Sequence, residues 1–291
     1  MTKPFKRIAL VGRRHPSPEV IESVKQIISL LEQNGYDYAV ENDTVSSCDF
    51  KTDKLFAIDA LGDEWDLLIA IGGDGCLLHA AHAAVQANTP VLGINRGRLG
   101  FLTDISPQEI TTRLLKILQG DYITEPRFML HATLGKTELG IALNDIVLIP
   151  GKMPHMVSFI THIDHKLVAS QRADGIIITT PTGSTAYALA GGGPILHPHL
   201  NAVALVPMMP HTLSSRPIVV NADVTIEIEV TEDNEYAPCV SLDGLEPLCL
   251  NIGDKILIRK HKDTLNLIHP TDYHYYHTLR SKLGWEKSQT A

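Results

Sequence analysis

Residues 66–75 read Asp-Leu-Leu-Ile-Ala-Ile-Gly-Gly-Asp-Gly, and no other stretch constrains the fold as tightly. An unbroken apolar run of this length, ended by turn residues, suits a strand covered on both faces, as in a parallel sheet. The pattern turns helical over 76–87, directly after the glycines. Around this core the first third alternates strand and helix. Residues 7–12 form a short apolar run ending in Gly12. Residues 17–34 place Val20, Val24, Ile27, Ile28 and Leu31 on one helical face, and Gly35 follows as a stop. Residues 36–41 and 90–94 read as further strands, while 43–64 are polar and carry no clear period. Ser106, Pro107 and Glu109 are a helix start with a capping box, and Ile110, Leu114, Ile117 and Leu118 form the buried stripe behind it. This order predicts a parallel α/β layer with helices on both faces.

The texture changes after about residue 122. Strand-like runs cover 128–134, 141–149, 156–163, 175–180, 218–221 and 223–230, with 256–259 and 265–268 continuing the sheets. In the 223–230 run, Val224, Ile226, Ile228 and Val230 alternate with Thr225, Glu227 and Glu229, the pattern of a half-solvated antiparallel strand. Residues 275–283 return to a helical pattern. The expected division is an α/β domain over 1–122, a β-rich domain over 123–270 and a carboxy-terminal segment over 271–291.

Composition narrows the function classes. A net charge of −8 argues against a nucleic-acid coat, whose affinity comes from neutralising phosphates. No run approaches the roughly 18 apolar residues of a membrane span, and the apolar run near the amino terminus is too short for a signal peptide. The cysteines, Cys48, Cys76, Cys239 and Cys249, form no C-x-x-C pair, so they read as reduced thiols in a cytoplasmic protein. The fourteen histidines include pairs two or three apart, but no H-E-x-x-H and no cysteine at zinc spacing, and read as surface and loop residues.

Three segments carry chemistry. The 72–75 turn would deliver the Asp74 carboxylate to the carboxyl edge of a parallel sheet, where ligands bind in open α/β folds. Its glycines would supply positive φ and let backbone N–H groups approach a phosphate, with a helix N-terminus adding positive dipole. An aspartate there repels phosphate unless it holds Mg²⁺ or takes a hydroxyl proton; the alternative is a turn with aspartate as N-cap. Residues 180–194, Thr-Pro-Thr-Gly-Ser-Thr-Ala-Tyr-Ala-Leu-Ala-Gly-Gly-Gly-Pro, offer hydroxyls, backbone donors and the Tyr187 ring, or else an elaborate capping loop. Asn144 and Asp145 interrupt an apolar strand, so they either meet a ligand or bond within the core.

Taken together these segments resemble the NAD kinase family. The resemblance spans nearly the whole chain: GGDG at 72–75, NRGRLGFLTD at 95–104, ALNDIVL at 142–148, SQRADG at 170–175, TPTGSTAYALAGGGPI at 180–195 and LNLIHP at 265–270. Diacylglycerol kinases and phosphofructokinases share a GGDG-like turn but not the later blocks. The resemblance implies a Rossmann-like parallel α/β amino-terminal domain, a β-sandwich-like carboxy-terminal domain and a last helix returning to the first. It implies transfer of the ATP γ-phosphoryl group to the 2′-hydroxyl of the adenosine ribose of NAD⁺, with Mg²⁺ or another divalent cation accompanying ATP, in a dimer or tetramer. Asp74 would accept the proton. Gly73, Asp74 and Gly75 would contact phosphate and ribose, and His79, one turn on, could reach a phosphate. Asn144, Asp145, His155, Arg172, Asp174, Thr185, Ala186, Tyr187, Ala188, Leu189 and Ala190 would complete the nucleotide pocket, with no protein metal cage. Arg172 beside Asp174 resembles the ATP-restricted, NAD⁺-preferring type. Three positions depart from the family pattern: Cys76 replaces Thr or Asn, Asp145 replaces Glu, and Leu245 replaces Gln. A lipid or sugar kinase and a non-catalytic NAD(H)-binding module are the competing readings.

Overall fold

The computed structural model describes residues 4–13, 17–46, 52–96, 100–152 and 154–285. The chain divides into two compact units: Met1–Pro126 with Leu265–Ala291, and Arg127–Thr264.

In the first unit, β1 (Arg7–Gly12), α1 (Pro18–Gln33) and β2 (Asp37–Glu41) follow the expected order. A short helix α2 (Asn42–Ser46) and strand β3 (Leu55–Phe56) occupy part of the stretch with no clear period. Then come β4 (Leu67–Gly72), α3 (Asp74–Gln86), β5 (Val91–Asn95) and α4 (Ile110–Leu118). Ser106 and Glu109 form the expected capping box. These five strands pair in parallel, in the order β5-β4-β1-β2-β3. Every residue of β4 is buried, as its continuous apolar run requires. Ile27, Leu31, Ile110, Leu114 and Ile117 close over the sheet to form one core. This strand order reverses between β1 and β4, so the end of β4 lies at the switch point where such sheets bind ligands.

The second unit is built on antiparallel pairing. Its strands are β6 (Ile123–Leu134, which begins in the first unit), β7 (Thr137–Ala142), β8 (Asp145–Ile149), β9 (Val157–Ile163), β10 (Lys166–Ala173) and β11 (Gly175–Thr179). A four-residue helix α5 (Tyr187–Ala190) precedes β12 (Ala202–Met208), β13 (Ile218–Asn221), β14 (Ile226–Val230), β15 (Cys239–Leu242) and β16 (Leu248–Cys249). One sheet runs β13-β12-β11-β8-β15-β16. Phe159, Ile226 and Ile228 on the facing strands pack with Ile146, Ile176, Val203 and Val240 of this sheet, giving a sandwich core. The alternation in β14 holds: Ile226, Ile228 and Val230 are buried and Glu227 and Glu229 half-buried, between antiparallel neighbours.

The last strand, β17 (Lys255–His269), joins two runs expected separately. Its first residues pair with β14 and its last pair in parallel with β5 of the first unit's sheet. Helix α6 (Tyr275–Leu283) belongs to the first unit, where Asp272 just before it bonds Arg113 at 2.6 Å.

Two expectations are corrected. Residues 141–149 are not one strand: β7 ends at Ala142 and β8 starts at Asp145. The cysteines are not all free thiols. Cys239 and Cys249 are directly opposed on β15 and β16, with Cα atoms 4.0 Å apart, and form a disulfide. Their separation of 10 residues concealed a hairpin register that brings them together. Cys76 is a buried free thiol, and Cys48 lies outside the described residues.

Candidate active site

The turn after β4 differs from its expected backbone. Gly73 has φ −99 and ψ −174, and neither it nor Gly75 is among the positive-φ residues. What these glycines provide is space: both are exposed, and a Cβ at either would meet nothing within 4 Å. A bare backbone at the start of a 13-residue helix is the surface a phosphate can approach. Gly72 is different, because a Cβ there would come within 2.9 Å of Cys76 Cβ.

Asp74 is not the helix N-cap; Gly73 holds that position. The half-buried Asp74 carboxylate instead meets the 101–103 segment. The Phe101 N–H donates to Oδ2 at 2.8 Å, and the Leu102 N–H and the Thr103 hydroxyl each donate to Oδ1 at 3.1 Å. A carboxylate has about four lone-pair positions. Three donors therefore fix its rotamer and leave one acceptor position on Oδ2. The Cys76 thiol is buried 3.7 Å from the Val11 carbonyl oxygen, and burial pushes its pKa up to about 12. His79 lies half-buried on α3, one turn further. Arg96 pairs with Glu22 at 3.1 Å and donates to the Glu19 carbonyl, while Gly97 and Arg98 lie outside the described residues.

In the second unit, Asn144 and Asp145 line a cavity of about 480 Å³ with Ala186, Tyr187, Asp243 and Leu245. Asp243 organises this wall. Its carboxylate accepts the N–H groups of Leu143 at 2.7 Å, Asn144 at 2.7 Å and Asp145 at 3.1 Å. These bonds end β7 and hold the break before β8. Asp243 and Gly244 take φ +50 and +72, and the Leu245 N–H returns to the Leu242 carbonyl at 2.9 Å, a type I′ turn. The Asp-Gly pair at 243–244 was the sequence signal for this hairpin. Burial, reinforced by the charge of Asp243, raises the Asp145 pKa from 3.8 to about 7. Gly183 is required by close approach, since a Cβ there would overlap the Asn144 carbonyl.

A second cavity of about 660 Å³ is lined by Asp174, Tyr187, Ala190, Met208 and Arg216 among others. The half-exposed Tyr187 borders both cavities. Thr185 and Leu189 are partly buried on the same segment, and Ala188 is fully buried beneath it. Arg172 is exposed and lines neither cavity; its carbonyl accepts the His211 N–H at 2.8 Å. His155 is not brought to either cavity. It sits against Tyr236, with ring centroids 4.6 Å apart, and 3.8 Å from Glu235. Among the described residues, His162, Glu227 and Glu229 could gather around a metal ion, but Lys255 already bridges the two glutamates at 3.2 and 2.9 Å.

Residues 8–122 match the ATP-NAD kinase N-terminal domain and residues 143–270 the ATP-NAD kinase C-terminal domain. The chain belongs to the NAD kinase family. It is 51% identical to an NAD kinase of Coxiella burnetii (strain Dugway 5J108-111), over 99% of this chain and 97% of that one. It is 47% identical to an NAD kinase of Legionella pneumophila (strain Corby), over 98% of each. Among solved structures, yeast NADH kinase complexed with NADH superposes with a TM-score of 0.86 at 25% identity, covering 99% of this chain and 90% of that one. An Archaeoglobus fulgidus NAD kinase in complex with ATP shares the fold, with a TM-score of 0.75 over 94% of this chain and 99% of that one. The Rossmann-like α/β layer, the antiparallel sandwich and the returning last helix are thus a fold shared with NAD kinases. Matches over both halves favour this family over a lipid or sugar kinase or a non-catalytic module.

Proposed function

We propose that the protein transfers the γ-phosphoryl group of ATP to the 2′-hydroxyl of the adenosine ribose of NAD⁺, giving NADP⁺ and ADP. The observation that carries this reading is one carboxylate, Asp74, fixed by three donors at the switch point of a parallel sheet and flanked by open glycine backbone. Phosphoryl transfer depends on positioning and charge neutralisation more than on covalent help. As the ribose oxygen bonds to Pγ and the Pγ–O bond to the β-phosphate breaks, the hydroxyl proton passes to the remaining lone pair of Asp74. General-base help of this kind contributes about 10²–10⁴ in rate.

Asn144 and Asp145 would hold dinucleotide polar groups, with Asp174, Thr185, Ala186, Tyr187, Ala188, Leu189 and Ala190 forming the pocket wall. A carboxyl titrating near pH 7 offers a hydroxyl both a donor and an acceptor, which suits Asp145 to a ribose edge. Arg172 is the proposed determinant of NAD⁺ over NADH, and His79 a phosphate contact. A divalent cation such as Mg²⁺ would neutralise the triphosphate, held mainly by phosphate oxygens and water. The GGDG turn fits that role, since it presents amides and open space rather than a ligand cage.

A dimer or tetramer is supported by exposed apolar side chains of the β-rich unit, Leu213 at 91% and Met209 at 75%. A cytoplasmic site is supported by the nucleotide substrates, and no helix among the described residues is long and apolar enough to cross a membrane. The cysteine argument for that site no longer stands, because Cys239 and Cys249 are paired. The direct test is incubation of purified protein with ATP, Mg²⁺ and NAD⁺, followed by glucose-6-phosphate dehydrogenase. Reduction of the product is expected; phosphate transfer to diacylglycerol or fructose 6-phosphate, with none to NAD⁺, would refute the reading.

A further inference from the structure

The three donors on Asp74 belong to a segment that is itself anchored. Leu102 and Thr103 are buried, at 4% and 0% exposure. The Asn95 side-chain amide donates to the Thr103 carbonyl at 3.3 Å, and the Asn95 N–H to the Ile105 carbonyl at 2.9 Å. The backbone packs too closely for side chains at its flanks: a Cβ on Gly100 would overlap Asp74 Oδ1, and one on Gly93 would overlap the Leu102 carbonyl.

The next residue, Asp104, faces His269 at the end of β17. His269 Nδ1 lies 3.0 Å from Asp104 Oδ2, and its Nε2 lies 3.3 Å from Glu125 Oε2. The ring is 1% exposed and stacks on Tyr273, with centroids 3.9 Å apart and planes 12° from parallel. The other Asp104 oxygen, Oδ1, is buried with no hydrogen-bond partner among the described residues. His269 is therefore the group that fixes this carboxylate. Nδ1 makes the hydrogen bond to Asp104, while Nε2 faces Glu125 as an ion-pair contact without an aligned hydrogen bond. Burial alone would lower its pKa, but the adjoining Asp104 and Glu125 carboxylates outweigh burial and raise it. A buried ionic triad contributes little net stability for its desolvation cost, and replacement by apolar residues is often neutral or better. A role in geometry accounts for it where stability does not.

We propose that the Phe101–Thr103 segment is an orienting clamp for the Asp74 carboxylate and that His269, held between Asp104 and Glu125, is the positioning residue that locks this clamp. The proposal rests on the reading of Asp74 as the catalytic base. The clamp fixes which lone pair faces the hydroxyl, so losing it misdirects the base without removing it.

The test uses the full-length protein with His269→Gln, which keeps one donor but removes the charge and the second carboxylate contact. Because that variant can fail to fold, Thr103→Val removes one donor directly at nearly constant shape, and Thr103→Ser restores it. Amide hydrogen exchange at Phe101 and Leu102 is expected to accelerate at least about tenfold in His269→Gln, as for any loosened local element. The value of kcat should fall about 10- to 100-fold, as for a misplaced catalytic group, with KM for ATP and NAD⁺ within about twofold. Thr103→Val should show the same kcat-selective loss and Thr103→Ser should recover most of it. In an Asp74→Asn background His269→Gln should add no further loss. Unchanged exchange at 101–102, or a loss that persists in full in the Asp74→Asn background, would overturn the proposal. If Asp74→Asn kept wild-type turnover, the base reading would fail instead, while exchange at Phe101 and Leu102 would still decide whether His269 locks the segment.

Discussion

Asp145→Asn isolates one buried charge and gives a pH signature. Asp145 is 5% exposed and faces Asp243, so its ionised form loses hydration and meets a like charge. Raising the pKa from 3.8 in the open chain to about 7 in the folded protein makes the folded state hold the proton longer. Stability therefore falls as pH rises between these values, by about 1.4 kcal/mol per pH unit. Below pH 3.8 both states are protonated and nothing is lost; above about 7 both are ionised and the loss levels off. The full span amounts to about 4 kcal/mol. Asparagine keeps the shape and cannot ionise, so it removes this loss. Chemical denaturation of both proteins from pH 4 to pH 9 should show the variant gaining on the parent with rising pH, up to a plateau above neutrality. A difference that does not change with pH, or an Asp145 carboxyl titrating near 4 by carbon NMR, would refute the reasoning.

Two other perturbations act at single points. Gly73→Ala should fold with an unchanged thermal midpoint, since a Cβ there meets nothing within 4 Å and φ is −99; KM for ATP should rise several-fold, and an unchanged KM would remove that backbone from the phosphate site. Denatured, unreduced protein should show two thiols by Ellman titration, the four cysteines less the Cys239–Cys249 pair. Cys249→Ser should cost about 3 kcal/mol, the loop-closure value for a ring of this size, and four titrating thiols would refute the pairing.

Local signals carried the α/β layer. The apolar run of β4, the stripe of α1 and the Ser106 capping box each declare themselves within a few residues, and each formed where its pattern put it. The features that escaped depend on distant partners. The break between β7 and β8 is made by Asp243, 98 to 100 residues away. The cysteine pair depends on register in a hairpin whose Asp-Gly turn went unread. Strand β10 is mostly exposed, so no hydrophobic period marks it. At the candidate site, strand and glycines marked the GGDG carboxylate as either a reactive group or a helix N-cap, and Gly73 holds the N-cap position. Its three donors at 101–103 were not legible: two are backbone N–H groups, which leave no trace in residue identity, and the third, the Thr103 hydroxyl, lies 29 residues away in sequence. His155 was placed by resemblance alone, since no pattern in the residues around it marks a ligand contact, and its ring packs on Tyr236.

The central claim is that Asp74 takes the ribose proton, and single-turnover kinetics of Asp74→Asn with saturating ATP, Mg²⁺ and NAD⁺ tests it most directly. The amide keeps the size of the side chain and its acceptor oxygen, so NAD⁺ affinity should hold while the rate of NADP⁺ formation falls by about 10²–10⁴, the range for a lost general base. NADP⁺ forming at close to the parent rate would contradict it.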